Sequence, residues 1–354
     1  MKTLLPVRDA ILRQQRYVAP VEGRAGKLRL DFNENTVGCS RAVLRALAKL
    51  TPERLSMYPE YADTTRRLAG SFGVRVDEMV LTNGVDDALH LLCDTFVDPR
   101  SRVLLCEPTF SMYRFYAELA NAKIVTVRYD AAMRFPLDGA LAALRHGKTS
   151  PRIFFLANPN NPTGTLVAAE ALGRMLRAAP RTVIVVDEAY AEFSGLTIIR
   201  WIRRYPNLVV LRTFSKAAGL AALRLGCIFA NRNIISFLKR AASPFSVNTA
   251  ALVAAEAATR DRRAIRSYVA EVTWAREEFA LALTRLGITA YPSAANFLLV
   301  DFGERGPQLV RKLERSGILL RDRGMEFGRR GFARVSVGTR AEMRRLIRAI
   351  ERNW

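Results

Sequence analysis

The chain has 354 residues, half of them hydrophobic, with a net charge of +22, two histidines and four cysteines. That is enough apolar material for one large domain and a smaller one, and no apolar run approaches the ~18 residues of a membrane span. Two histidines exclude a multi-histidine metal centre. Cys39, Cys93, Cys106 and Cys227 are too scattered for a zinc motif or a disulfide frame, so reduced thiols, a cytoplasmic setting and no bound metal are expected.

A charge this basic suits a polyanion such as nucleic acid. The arginines, however, run along the whole chain in pairs, from Arg66-Arg67 through Arg203-Arg204 and Arg262-Arg263 to Arg344-Arg345, with no aromatic ladder among them. They read as solvated helix faces, and no nucleic-acid partner is expected. The N-terminal apolar stretch is broken by Pro6, Arg8 and Asp9, unlike a signal peptide.

Along the chain, short apolar runs predict strands at Met79–Thr82, Arg102–Cys106, Lys123–Val127, Arg152–Leu156, Thr182–Val186, Leu208–Leu211 and Leu225–Ala230. Amphipathic segments between them, such as Asp86–Phe96, Met112–Leu119 and Ala168–Ala178, predict helices. Apolar strands alternating with helices imply an α/β fold with a mostly parallel seven-stranded sheet covered on both faces. The pattern then changes. A long helical stretch, Thr249–Leu286, leads to a strand at Phe297–Phe302, a helix at Pro307–Ser316, a strand at Phe332–Ser336 and a last helix at Ala341–Asn353. This predicts a large domain over 31–240 and a smaller α+β domain built from 1–30 and 241–354.

In such sheets ligands sit at the carboxyl ends of strands, and four ends here carry polar residues. The first is followed by Gly84, Val85 and Asp86, a glycine turn opening a helix and a ready anion site. The run ending at Leu156 is followed by "ANPNNPTG", a rigid turn that projects Asn161. Asp187 and Tyr190 follow the strand ending at Val186. The strand ending at Leu211 is followed by Thr213, Ser215 and Lys216, with Arg224 eight residues on. Lysine is scarce: there are eight among 55 basic residues, and Lys216 stands alone between Lys148 and Lys239. Two hydroxyls, an arginine and a helix N-terminus suit a phosphate. An aspartate suits a cationic ring nitrogen, an asparagine and a tyrosine suit a ring oxygen, and a primary amine suits an aldehyde. Together these match pyridoxal phosphate, and arginine could not replace the amine.

On these residues the chain resembles the fold-type-I pyridoxal-phosphate aminotransferases, and within them the histidinol-phosphate aminotransferase family, over nearly its whole length. "LDFNENTVG" (30–38), "MYPEY" (57–61), "NGVDDAL" (83–89), "EPTFSMY" (107–113), "NPNNPTG", "VVDEAYAEF" (185–193), "RTFSKAAGLAALRLG" and "RVSVGT" (334–339) have counterparts in the family's order. The resemblance implies that Lys216 holds the cofactor as a Schiff base and then moves protons. Asp187 would pair with the ring nitrogen, Asn161 and Tyr190 would bond the ring oxygen, and Phe110 would stack on the ring. Gly84, Val85, Asp86, Thr213, Ser215 and Arg224 would cradle the phosphate. Tyr58 would reach the neighbouring subunit's cofactor, which implies a homodimer with shared sites. Tyr17, Asn35, Arg321 and Arg334 would bind substrate, with Asn248 near them. His90 reads as an ordinary helix residue. The chain departs from the family pattern at Thr36-Val37, where Pro and an aromatic residue are usual, and at Phe110, where Tyr is usual.

The implied reaction is amino transfer between histidinol phosphate and 2-oxoglutarate. An aromatic or broad-specificity amino-acid aminotransferase and a threonine-phosphate decarboxylase share the same scaffold. A reading from a different class, a DNA-binding regulator on this fold, would need a further domain of roughly 100 residues ahead of it.

Overall fold

The computed structural model describes residues 5–16, 20–145 and 147–354. Twelve strands form two sheets among these residues: β1 (Leu28–Leu30), β2 (Met79–Thr82), β3 (Arg102–Glu107), β4 (Lys123–Arg128), β5 (Ile153–Ala157), β6 (Val183–Asp187), β7 (Leu208–Thr213), β8 (Gly226–Ala230), β9 (Thr289–Ala290), β10 (Phe297–Asp301), β11 (Ile318–Asp322) and β12 (Phe332–Ser336). The larger sheet has seven strands in the order β2-β8-β7-β6-β5-β3-β4; β8 runs antiparallel to both neighbours and the other pairs are parallel. Its strands are unbroken apolar runs because both faces are covered. The two-residue alternation divides them cleanly. Phe154, Leu156, Ile184, Val186, Leu208 and Val210 pack on one face, while Ile153, Phe155, Val185, Val209 and Leu211 pack on the other. The smaller sheet has the order β1-β11-β12-β10-β9. It packs against the long helix Arg262–Arg285 and the last helix Arg340–Glu351 through Val272, Phe279, Leu283, Met343, Leu346 and Ile350.

The expected strands of the larger sheet appear within two residues of their expected ends. Three expectations change. The stretch 249–286 is two helices, Thr249–Arg260 and Arg262–Arg285, because Asp261 takes a non-helical backbone and its carboxylate accepts from Ala264 N at 3.3 Å. The first of them belongs to the core of the large sheet. Its small face (Ala251, Ala254, Ala255, Ala258) lets it pack closely on helices Arg41–Leu47 and Ala62–Phe72. Helix Thr249–Arg260 thus packs into the larger sheet's core and helix Arg262–Arg285 into the smaller sheet's. At the N-terminus only β1 joins the smaller sheet, pairing parallel with β11. The segment Asp9–Arg13 lies instead on the large body, where Arg8 donates to Leu119 O at 2.8 Å and Arg13 to Asn121 Oδ1 at 2.7 Å.

Candidate active site

The carboxyl ends of β5, β6 and β7 face a cleft of about 300 Å³ whose far wall comes from β11, β12 and the segment after β1. In register, Ala157, Asp187 and Leu211 stand side by side, so the residues that follow each strand emerge together.

Asp187 is buried at the end of β6. Its Oδ2 accepts from the Tyr113 hydroxyl at 2.7 Å and its Oδ1 from Ala189 N at 3.0 Å. Burial pushes its carboxyl up to about 6 despite these bonds and the nearby Lys216. The Lys216 amine donates to Phe32 O at 3.0 Å. Burial first, then the positive charges of Arg334 and Arg224, lower it to about 8, which makes it a better nucleophile and base at neutral pH than an ordinary lysine.

The cradle at the sheet's other side is built on two left-handed residues, Gly84 (φ 79°) and Arg224 (φ 54°). A Cβ on Gly84 would stand 2.6 Å from Arg224 Nη2, so only glycine leaves the guanidinium its place. Arg224 donates to Asp86 Oδ2 at 3.1 Å and lies 3.5 Å from Ser215 Oγ. Thr213 Oγ1 accepts from Ser215 N at 3.0 Å, which holds both hydroxyls at the end of β7. The Val85 and Asp86 N–H groups open the helix Gly84–Phe96 on the same cleft.

Across the cleft, Arg334 on β12 is buried. It donates to Asn161 Oδ1 and to Asp31 O, both at 2.6 Å. Burial and the neighbouring Arg323 push its guanidinium down to about 9. It remains charged at neutral pH, and an anion beside it would relieve the strain of like charges. Asn161 also lies 3.4 Å from Arg323, so its carbonyl faces the arginines and its amide nitrogen is the group left for a ligand. Arg321 lines the cleft with its guanidinium 5.8 Å from the Phe32 ring, and Arg24 lies over the same ring at 4.1 Å. The Tyr190 hydroxyl accepts from Asn33 Nδ2 at 2.9 Å, and its ring packs edge-on against Phe297. Phe110 lines the cleft and packs edge-on against Tyr113.

The structure thus gathers Gly84, Val85, Asp86, Phe110, Asn161, Asp187, Tyr190, Thr213, Ser215, Lys216, Arg224, Arg321 and Arg334 at or beside one cleft. It does not bring Asn35 and Asn248 there. Asn35 donates to Ala217 O at 3.1 Å, behind the lysine, and its carbonyl accepts from Val37 N and Gly38 N. Asn248 caps the helix Thr249–Arg260, accepting from Ala251 N at 2.8 Å. Both are drawn away by backbone groups that need partners. Tyr58 does not line the cleft of its own chain; it is 77% exposed and stacks on Phe245. Tyr17 lies outside the described residues. His90 is exposed on its helix beside Asp94. Thr36, one of the departures from the family pattern, points away from the cleft and donates to Glu342 at 2.7 Å.

Sequence reasoning assigned no role to Tyr113, Asn33 or Arg323. Tyr113 stands three residues after Phe110, a spacing that puts both on one side of a helix start. In so arginine-rich a chain nothing marked Arg323.

These groups fit pyridoxal phosphate. Among the described residues the buried Asp187 carboxylate has no ion-pair partner in contact, Lys216 nearby is an amine with lowered proton affinity, and a glycine-shaped cradle with an arginine suits a phosphate. Residues 25–350 match the family described as aminotransferase class I and II. Among curated proteins, the chain is 35% identical to histidinol-phosphate aminotransferase 1 of Carboxydothermus hydrogenoformans over 92% of both chains. It is 36% identical to the histidinol-phosphate aminotransferase of Symbiobacterium thermophilum over 98% of both. Among solved structures, the histidinol-phosphate aminotransferase of Sinorhizobium meliloti in complex with pyridoxal-5′-phosphate superposes with a TM-score of 0.89 over 99% of both chains, at 25% identity.

Proposed function

Because this chain belongs to the class I and II aminotransferases, we propose that it transfers the amino group of histidinol phosphate to 2-oxoglutarate, with pyridoxal 5′-phosphate as its cofactor. The observation that carries this reading is the convergence of Lys216, Asp187 and Arg334 on one cleft, in a chain whose relatives along its full length bear that enzyme's name.

When bound, the cofactor supplies an electron-withdrawing ring that makes the proton on the substrate's α-carbon removable. Lys216 would hold the cofactor and, once the substrate amine takes its place, its Nζ would take that proton and give one back. Asp187 would accept a hydrogen bond from the ring nitrogen and keep it charged. Asn161 and Tyr190 would donate to the ring oxygen. Thr213, Ser215, Arg224 and the N–H groups of Val85 and Asp86 would bind the phosphate, and Phe110 would cover the ring and keep water from it. Arg334 would hold the carboxylate of glutamate in one half-reaction and the phosphate of histidinol phosphate in the other, with Arg321 as the second anion anchor.

We read the active form as a cytoplasmic homodimer with shared sites. Leu55, Met57, Tyr58 and Phe245 are exposed apolar side chains, with Tyr58 stacked on Phe245, and supply apolar surface for a partner subunit. No helix among the described residues is long and apolar enough to cross a membrane. The test is amine transfer from histidinol phosphate to 2-oxoglutarate by the purified protein, measured as glutamate formed. Absence of glutamate with a cofactor-loaded protein would contradict this reading.

A further inference from the structure

Asn33 is fully buried, and its φ of 56° is left-handed, a backbone that asparagine tolerates better than most residues with a β-carbon. All four of its hydrogen-bonding groups are used. Its N donates to Ser336 Oγ at 2.8 Å, and Ser336 Oγ in turn donates to its Oδ1 at 3.0 Å. Its carbonyl accepts from Asn296 Nδ2 at 3.1 Å, and its own Nδ2 donates to the Tyr190 hydroxyl at 2.9 Å. Ser336 lies on β12 and Asn296 directly precedes β10, both in the smaller sheet. Tyr190 follows β6 of the larger one. The two preceding carbonyls are engaged as well: Asp31 O by Arg334 Nη2 at 2.6 Å and Phe32 O by Lys216 Nζ at 3.0 Å.

We propose that Asn33 is a positioning residue that ties the smaller sheet to the reacting groups. Its left-handed turn aims the carbonyls of Asp31 and Phe32 at Arg334 and Lys216, and its side-chain amide holds the hydroxyl of Tyr190. A right-handed or extended backbone at 33 would swing both carbonyls away, while loss of the side-chain amide alone would release Tyr190 and one of the two bonds to Ser336 and leave both carbonyls in place. The two functions are therefore separable. The Tyr190 half rests on the cofactor reading above; the Lys216 half does not.

Two substitutions divide them. Asn33→Gly keeps the left-handed backbone and removes the amide; Asn33→Ala disfavours the backbone and removes the amide as well. The first readout uses cofactor-free protein: the pH midpoint for acetylation of Lys216 Nζ, followed by mass spectrometry. Arg334, Arg224, Glu34, Asp86 and Asp187, charged groups around this amine, are unchanged in both variants. Asn33→Gly is expected to keep the midpoint of the unmutated protein. Asn33→Ala is expected to lower it by about half a unit, a roughly threefold loss of proton affinity, because the ammonium loses the Phe32 carbonyl. The second readout is the pH midpoint of the visible band of the cofactor-loaded protein. It should rise by about half a unit in both variants, because the Tyr190 hydroxyl donates less strongly to the ring oxygen once Asn33 no longer donates to it.

Unmoved midpoints in both variants would overturn the proposal, as would an Asn33→Gly protein whose Lys216 midpoint falls as far as that of Asn33→Ala. If Asn33→Ala does not fold, Asn33→Gly decides alone: an unmoved lysine midpoint with a raised band midpoint supports the proposal, and any other pair refutes it. An unmutated protein with no visible band after adding pyridoxal phosphate would remove the cofactor reading and leave the lysine readout to decide this one.

Discussion

The Tyr113 hydroxyl donates to Asp187 Oδ2 at 2.7 Å inside a site where both side chains are buried. The bond fixes the carboxylate that would meet the cofactor's ring nitrogen and partly offsets the penalty of burying its charge. Tyr113→Phe leaves that oxygen without its donor, at a cost of about 1–3 kcal/mol. It is expected to weaken pyridoxal phosphate binding by roughly tenfold or more, read by equilibrium dialysis. Unchanged retention would show that the bond does not support the cofactor.

Asp187 also predicts a pH dependence. Its carboxyl is raised to about 6 from an ordinary 3.8 by burial. A carboxylic acid whose folded value is raised costs stability once ionised, so the cofactor-free protein should lose stability as pH rises from about 4 to about 6, by up to roughly 3 kcal/mol. A cationic ring nitrogen cancels that cost, so the gain in melting temperature on adding pyridoxal phosphate should grow over the same window. Asp187→Asn should remove this pH-dependent part of the gain. An equal gain at about pH 4.5 and about pH 7.5 would contradict the assignment of Asp187.

Lys216→Ala should reduce turnover by at least about a thousandfold, since among the described residues no second amine lines the cleft to replace its proton transfers. Cofactor should still bind, but without a covalent link that borohydride can trap. Activity near that of the unmutated protein would place the chemistry elsewhere.

Histidinol phosphate has no α-carboxylate, so its phosphate must supply the anchoring anion. Arg321→Ala should therefore lower kcat/KM for histidinol phosphate by about 30- to 1000-fold, roughly 2–4 kcal/mol, and far less for glutamate. Equal losses for the two substrates would show that Arg321 does not discriminate between them.

Tyr58 is exposed in the single chain, which suits a side chain that completes a neighbour's site. Tyr58→Phe should weaken cofactor retention by about 1 kcal/mol, one hydrogen bond. A monomer that is fully active at nanomolar concentration would contradict the shared site.

The sequence revealed the parts of the site that hang directly on strand ends. Buried parallel strands are continuous apolar runs, so their ends are visible, and Asp187, Lys216 and Asn161 follow them within a few residues. It was less informative where a side chain's partner is chosen by tertiary packing. The resemblance put Asn35 and Asn248 at the substrate, but asparagine serves caps, turns and ligands alike, and here both went to backbone partners. Tyr113 and Asn33 act through contacts 74 and 157 residues away, which local pattern cannot show. The helix break at Asp261 was hidden because neither glycine nor proline marks it. The short strand β1 has only three residues, too few for a period to register.

Substrate preference is decided by loading the purified protein with pyridoxal phosphate and mixing it with one amino donor at a time, without acceptor. Histidinol phosphate is expected to bleach the visible band with a higher second-order rate constant than phenylalanine, and 2-oxoglutarate to restore the band. Faster bleaching by phenylalanine would contradict the substrate assignment, and a band that 2-oxoglutarate cannot restore would contradict amino transfer itself.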